Sequence, residues 1–349
     1  MSQLFFKPRQ VIGLDISQTS AKIMALNAKD WSVTGYGSID VDPAKMQNVQ
    51  DMQGHLAEKL NILIERNVIG RLPSLQAVVS VPTSRTFTRG ITLPKEAEKD
   101  LMNAIQLEAE QYIPISLDDL YIDFEVIDRS KDTIEVLMSA VPKLQVDATL
   151  EVCKQVGIQP VLIEPSINAV ARLIRQTEGG DLVTVILDIG SNSTDIAILD
   201  NSIRVTGGVD VGGHTLTMAI AHNLKVTQEA AHMLRTHNGL AMGPKQQAIR
   251  DALNPHLQKI VKETKKVMRY YTERLGKEHK IEQLIVVGGG SNIPGVGDYF
   301  TENIIIAART ASPWQILKFG KLTPLSRQLK PRFITAIGLA MVNAKEVWK

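Results

Sequence analysis

Cysteine is almost missing from this chain: Cys153 is the only one in 349 residues. That excludes a disulfide within the chain and any zinc site built on several thiolates, and it suits a reducing compartment. Cys153 lies in an amphipathic helical pattern at 146–156, where a buried structural thiol is expected. A dominant sign of charge is missing as well. The formal charge is +2, with 44% hydrophobic and 22% charged residues, the balance of an ordinary globular protein and not of a nucleic-acid binder. The one basic run, Lys259, Lys262, Lys265, Lys266 and Arg269, has helical spacing and is interrupted by Glu263 and Glu273, so it reads as a solvated helix face. No stretch approaches the ~20 apolar residues of a membrane helix. The apolar start at Leu4, Phe5 and Phe6 is too short for a signal peptide, and it is expected to pack on the first sheet or stay disordered. A cytoplasmic protein without direct membrane insertion is the expectation. The HExxH motif, the serine nucleophile elbow and the Walker lysine loop are absent, and the seven histidines show no metal-ligand spacing.

What the chain does have is a repeat. Ile12-Gly13-Leu14-Asp15-Ile16-Ser17-Gln18-Thr19-Ser20-Ala21-Lys22-Ile23 returns 173 residues later as Val185-Ile186-Leu187-Asp188-Ile189-Gly190-Ser191-Asn192-Ser193-Thr194-Asp195-Ile196. Each copy is an apolar strand ending in Asp, a turn of small and hydroxyl residues, and a second apolar strand: a hairpin whose turn offers free backbone N–H groups. Facing each other across a cleft, two such turns clamp a polyphosphate from both sides, while Asp15 and Asp188 hold a hydrated divalent cation. Ser17, Gln18, Thr19 and Ser20 supply donors in the first turn, and Lys22 is placed to lean its ammonium onto the β- and γ-phosphates. In the second, Gly190 lets the backbone approach phosphate while Ser191, Asn192, Ser193 and Thr194 supply donors. A charged carboxylate at the end of an apolar strand is costly when unpaired, which favours metal binding over simple turn capping for the two aspartates.

A chain this long exceeds one ordinary core, and the repeat supports two lobes. Residues 1–83 with 158–179 form the first: the hairpin, a strand at 31–40, a helix around 46–67 and a strand at 75–82 whose continuous apolar run suits a sheet covered on both faces. The rhythm changes at 84–157, with a short strand, a helix at 96–112, strands at 120–128 and 132–141, and a helix at 144–156. That stretch reads as an inserted subdomain. Gly179-Gly180 marks the boundary to the second lobe, 180–225 with 281–349, which surrounds a Lys-, Glu- and Gln-rich helical insertion at 226–280 and closes with a helix from about 331 to 349. Within the second lobe Gly212-Gly213 opens a helix. Gly288-Gly289-Gly290 with Asn292 follows an apolar strand, where bare backbone suits a flat base or ribose. The helices that begin at Glu164-Pro165 and run through Thr335-Ala336-Ile337-Gly338 are rich in small residues and can cross closely as a hinge between the lobes.

These five elements, first phosphate loop, first connecting helix, second phosphate loop, adenosine loop and second connecting helix, resemble in this order the actin-like ATPase superfamily over nearly the whole chain. A narrower likeness lies in Glu108-Ala109-Glu110-Gln111-Tyr112-Ile113-Pro114, with Thr92-Leu93-Pro94, Asp123-Phe124-Glu125-Val126, Ser139-Ala140-Val141-Pro142-Lys143 and Glu164-Pro165. These runs are similar to those of the PilM family, the actin-like proteins of type IV pilus assembly. The resemblance implies an α/β actin-like ATPase fold: two duplicated ribonuclease H-like lobes, an inserted subdomain placed as in the division protein FtsA, and a second helical insertion. It also implies ATP and Mg2+ as cofactors. It further implies docking of the N-terminal cytoplasmic peptide of a PilN-like inner-membrane protein in a groove between the first lobe and the inserted subdomain. The protein would then be a cytoplasmic scaffold held at the inner face of the membrane through its partners, linking platform to motor. Contact with the pilus motor ATPases and homo-oligomerisation stay open.

Relatives carry an Ala-Glu-x-x-Lys run in the helical insertion that reaches the nucleotide sugar and base. Here Ala230-Ala231-His232-Met233-Leu234-Arg235 stands instead, with Arg235 in place of the lysine, which implies altered nucleotide affinity or selectivity. Glu164 is nearest by position to an attacking water, with Asp188 the other catalytic carboxylate. Repulsion between a carboxylate and a γ-phosphate leaves slow hydrolysis or binding alone as the expectation. Two other readings stand beside this one. An FtsA-like polymerising protein would end in an amphipathic membrane helix, where Ile337-Gly338-Leu339-Ala340-Met341-Val342 has a buried-helix pattern. A small-molecule kinase of the same superfamily needs a catalytic Asp beside a substrate pocket, and none is identifiable.

Overall fold

The computed structural model describes residues 10–179, 181–241, 246–274 and 279–342; the apolar start at 4–6 and the end of the expected last helix lie outside them. The first repeat folds as β1 (Ile12–Ile16) and β2 (Ser20–Asn27), antiparallel neighbours in which Asp15 stands opposite Lys22. β3 (Ser32–Asp40) continues the meander into α1 (Val49–Arg66). The Asn48 side chain caps α1 by accepting from the Asp51 N–H, and Met52, Leu56, Leu60 and Leu63 recur at helical spacing to bury one face. After β4 (Val68–Gly70), β5 (Gln76–Val81) lies parallel to β1.

The inserted unit consists of β6 (Phe87–Pro94), α2 (Leu101–Ala109), β7 (Leu120–Arg129) and β8 (Thr133–Pro142), with its own core around Ile91, Leu93, Ile105, Ile134 and Val136. α2 is shorter than the helix expected at 96–112. Lys95–Asp100 wind as a 3-10 turn, and the Asp100 carboxylate then caps α2 by accepting from the Asn103 N–H. α3 (Lys143–Gln155) was expected inside this unit, but its apolar face meets α1, bringing Ala148, Val152 and Cys153 into the core of the first lobe. The Cys153 thiol is fully buried, and desolvation pushes it up to about 12, as befits a structural residue. β9 (Gln159–Pro165) joins β5, completing a six-stranded sheet in the order β4-β3-β2-β1-β5-β9.

α4 (Ser166–Thr177) leads to the second repeat, β10 (Thr184–Ile189) and β11 (Thr194–Asp200), where Asp188 stands opposite Asp195. β12 (Ser202–Val209), α5 (Gly213–Leu224), α6 (Gln228–His237) and α7 (Gln246–Arg274) follow. Next come β13 (Gln283–Val287), parallel to β10, then α8 (Val296–Ile304), β14 (Ala308–Thr310) and α9 (Ile334–Ala340). The helical insertion expected at 226–280 does not form a core of its own. The apolar stripe of α7 (Ile249, Leu253, Leu257, Ile260, Tyr271) shares one core with Val185, Leu187 and Ile196, while Lys259, Lys262, Lys265, Lys266 and Arg269 face solvent as expected. β12 also pairs with β6, so the second sheet has eight strands in the order β14-β13-β10-β11-β12-β6-β8-β7.

α4 and α9 cross between the two sheets in a shared core with Met24, Leu26, Ile186, Ala197 and Ile285. Small residues are obligatory at the crossing. A Cβ on Gly338 would lie 2.0 Å from the Ala169 carbonyl oxygen, and, where α9 lies on β1, one on Gly13 would lie 2.2 Å from that of Ala336. Among the described residues no helix is long and apolar enough to cross a membrane.

Candidate functional site

A cleft of about 820 Å3 lies between the two repeats. It brings together Asp15, Ser17, Gln18, Thr19, Ser20 and Lys22 from the first, Asp188, Gly190, Ser191, Asn192 and Ser193 from the second, and Gly213, Arg235, Gly288, Gly289 and Asn292 from the rest of the second lobe. The turns meet directly across it: Thr19 Oγ1 donates to Ser191 Oγ at 3.1 Å, and Asn192 Nδ2 donates to Gln18 Oε1 at 2.6 Å.

The two aspartates at the strand ends have opposite surroundings. Lys22 Nζ donates to Asp15 Oδ2 at 2.8 Å and Ser80 Oγ donates to Asp15 Oδ1 at 2.9 Å, so the ammonium expected to point at phosphate is engaged with its own hairpin. Asp188 receives no side-chain hydrogen bond among the described residues. Desolvation, reinforced by the negative charges of Asp195 and Asp15 and only partly opposed by Lys22, pushes its carboxyl up to about 7. Gly288, with φ +77°, makes room for that carboxylate: a Cβ there would sit 2.2 Å from Asp188 Oδ1.

Four of the expected residues stand back from the cleft wall. Thr194 is buried and its Oγ1 donates to the Val211 carbonyl at 2.7 Å. Gly212 seats the second turn, since a Cβ there would meet the Asn192 nitrogen at 2.6 Å, and Gly290 packs on Ile189. The first N–H groups of α5 are used in the same seat, Gly213 donating to the Gly190 carbonyl at 2.9 Å and His214 to that of Ser191 at 2.7 Å. Glu164 is held at the helix crossing: Arg172 grips both its oxygens at 2.8 and 2.7 Å and donates to the Gly338 carbonyl at 2.9 Å. An arginine fork of this kind locks the carboxylate of β9 onto α4, and Arg172 carries the tie on to α9.

Asp195 and His232 line the same cleft and were not singled out by sequence reasoning. Asp195 Oδ1 is buried without a hydrogen-bond partner, and desolvation, opposed by the Thr83 hydroxyl, pushes its carboxyl up to about 6. The repeat itself carried the signal, because the 173-residue offset that maps Asp15 onto Asp188 maps Lys22 onto Asp195. Arg235 is 5% exposed with Nε and Nη1 both unpartnered, and desolvation lowers its guanidinium to about 10. Its neighbour His232 is lowered as well, first by desolvation and then by the Arg235 charge. A buried donor-only side chain of this kind is matched to an anion or a set of acceptors.

Two lobes of repeated topology, a hairpin-walled cleft and two helices crossing beneath it define an actin-like protein. MreB5 of Spiroplasma citri bound to ADP has the same fold, with a TM-score of 0.57 at 14% identity over 97% of each chain. The ethanolamine utilization protein EutJ from Carboxydothermus hydrogenoformans matches with a TM-score of 0.54 at 14% identity, over 96% of this chain and 90% of its own. The chain belongs to the PilM family: the family described as type IV pilus assembly protein PilM matches residues 13–344. A solved PilM–PilN type IV pilus biogenesis complex superposes with a TM-score of 0.81 at 22% identity, covering 96% of this chain and 98% of that one. Curated relatives are the cell division protein FtsA of Neisseria meningitidis, 25% identical over 207 residues, and that of Borreliella burgdorferi, 24% identical over 189. Those matches take in 48% and 45% of the relatives, so the chain spans about half the length of the curated proteins it matches.

Proposed function

We propose that the protein is a cytoplasmic, nucleotide-binding scaffold of type IV pilus assembly that takes Mg-ATP in the cleft and docks the N-terminal tail of a PilN-like inner-membrane protein. One observation carries the nucleotide reading. The cleft sets two acid groups, Asp188 without a side-chain hydrogen bond among the described residues and Asp195 with one buried oxygen unpartnered, and a buried cation, Arg235, with two nitrogens unpartnered, in one cavity between two hydroxyl-rich turns. Such a cavity fits a ligand that brings both a cation and an anion. Asp188 and Asp195 would hold the cation's water shell, with Asp15 contributing the lone pairs that Lys22 and Ser80 leave over. Mg2+, when bound, supplies the positive charge that lets phosphate lie beside these carboxylates. Ser191 and Ser193 would donate to the phosphates, Ser17 and Thr19 would join them by leaving Ser20 and Ser191, and Arg235 would reach the sugar or base side. With Glu164 locked by Arg172, Asp195 is the better placed carboxylate to take a proton from water. Its carboxyl near 6 suits slow turnover close to neutral pH.

The partner groove is assigned to the junction of β7 and α3, where the inserted unit meets the first lobe. Tyr121 and Leu144 are 47% and 65% exposed there, and Tyr121 is held by its hydroxyl's bond to Asp147 Oδ1 at 3.0 Å. Large apolar side chains ordered on an open surface suit an apolar peptide. Binding of that peptide would hold the protein at the inner face of the membrane. Titration calorimetry tests both halves. Mg-ATP is expected to bind the native chain and to bind Arg235→Gln at least about tenfold more weakly. A tail peptide of a PilN-like protein is expected to lose affinity for Tyr121→Ala. An absence of Mg-ATP binding to the native chain would remove the nucleotide half, and peptide affinity unaffected by Tyr121→Ala would move the groove elsewhere.

A further inference from the structure

The inserted unit is tied to the two lobes in different ways. Both of its covalent connections run to the first lobe: β5 leads into it, and β8 leaves it directly into α3 and β9. Its own core shares no residue with the core around α1, and its Leu137 joins the central core between the two sheets. Its polar contacts favour the other side. Arg89 of β6 pairs with Val205 of β12, and Thr206 Oγ1 donates to the Thr88 carbonyl at 3.1 Å. Arg204 Nη1 donates to Glu135 Oε2 at 2.5 Å, and Arg89 Nη2 donates to the Tyr270 hydroxyl of α7 at 3.1 Å. The Arg89 guanidinium also lies 3.6 Å over the ring of Tyr112, within the Glu-Ala-Glu-Gln-Tyr-Ile-Pro run. Arg89 therefore joins β6, the end of α2 and α7 at one point. Toward the first lobe the unit makes the exposed Tyr121–Asp147 bond.

A body that is covalently attached to one lobe and ladder-bonded to the other has two choices when the lobes rotate about α4 and α9. It can break the seam, which strips Arg89 of its partners and bares two strand edges, or it can follow the second lobe by flexing its connections to the first. Following is the easier course. On the first-lobe side the exposed Tyr121–Asp147 bond is what has to give, whereas the seam is held by the partly buried contacts of Arg89 and Thr206. We infer that the β6–β12 seam, centred on Arg89, carries rotation of the second lobe into the inserted unit, so that the β7–α3 junction opens and closes with the cleft. The inference rests on the proposed cleft and groove, and it names the element that connects them.

Amide hydrogen exchange on the full chain tests it. Gln18→Cys with Asn192→Cys, whose parent side chains touch across the cleft, is locked with a short bismaleimide and compared with its unlinked form. Cys153 is fully buried and stays out of the reaction. Locking is expected to slow exchange at 120–129 and 143–150 by about fivefold, and by less than about twofold when Arg89→Ala and Thr206→Val are added. Tyr270→Phe, which deletes one hydroxyl and keeps the ring, serves as a milder seam variant should the double one fail to fold. Unchanged exchange at the junction on locking, or an equal change with and without the seam, would overturn the inference. A second arm adds Mg-ATP to the native chain. A lack of protection at 12–23 and 185–196 there would defeat the nucleotide reading, while the locked arm still decides the seam.

Discussion

The two hairpins that wall the cleft are copies in sequence and opposites in charge. In the first, the residue across the ladder from Asp15 is Lys22, and the pair is buried and satisfied with Ser80 as third member. In the second, the residue across from Asp188 is Asp195, and two carboxylates share one register position with no cation between them. Like charges directly opposite on a sheet are destabilising; desolvation, joined at Asp188 by the charges of Asp195 and Asp15, pushes its carboxyl up to about 7, and desolvation pushes that of Asp195 up to about 6. Duplication thus supplies one geometry twice, and a single exchange of Lys for Asp divides the labour. The first wall is electrically complete within the protein; the second is the one that the proposed cation would complete.

The largest expected effect comes from undoing the balanced wall. Lys22→Met leaves Asp15 buried without its cation and should cost about 3–5 kcal/mol in urea unfolding. A cost under about 1 kcal/mol would mean that Asp15 is neutralised some other way.

Relieving the unbalanced wall should have the reverse sign. The folded carboxyl of Asp188 lies above its ordinary value of 3.8, so the folded state holds that proton more tightly. The associated stability is complete below about pH 4 and is lost as pH rises through about 7. Asp188→Asn should therefore gain on the order of 2 kcal/mol over the parent at pH 8 and nothing at pH 4, measured without nucleotide. A gain that does not vary with pH would show that packing, not charge, is at work. Asp195→Asn should follow the same course with a smaller gain, about 1 kcal/mol at pH 8, since its carboxyl rises only to about 6. The smallest effect belongs to the contact between the walls. Thr19→Ala removes one partly buried neutral hydrogen bond to Ser191 and should cost about 0.5–1 kcal/mol by the same unfolding measurement.

Much of this architecture was legible before folding was considered. Alternating and continuous apolar runs placed the strands, and the repeat placed the cleft, because hairpin register follows from period-two patterning and a short turn. Side-chain allegiance was harder to read. The amphipathic pattern of α3 says that one face is buried, and nothing in it says that the burial is against α1 of the first lobe. The stripe of α7 likewise does not announce that it covers the second lobe's own sheet. Glu164 sits beside the first connecting helix in sequence, yet Arg172, eight residues on, turns it into a strut. Asp195 stands in the repeat where the first copy has Lys22, so the match between the copies does not mark it as an acid of the site.

Local patterns along the chain establish which segments are strands, where the turns with small hydroxyl residues fall, and that the fold was made twice, because each depends on neighbours a few residues apart. Which charges find partners is a different matter. Lys22 closes on Asp15, Arg172 on Glu164 and Arg89 on Tyr270, while Asp188, Asp195 and Arg235 form no ion pair among the described residues. Those outcomes follow from desolvation and from contacts between segments up to 181 residues apart, and they exist once the lobes have packed.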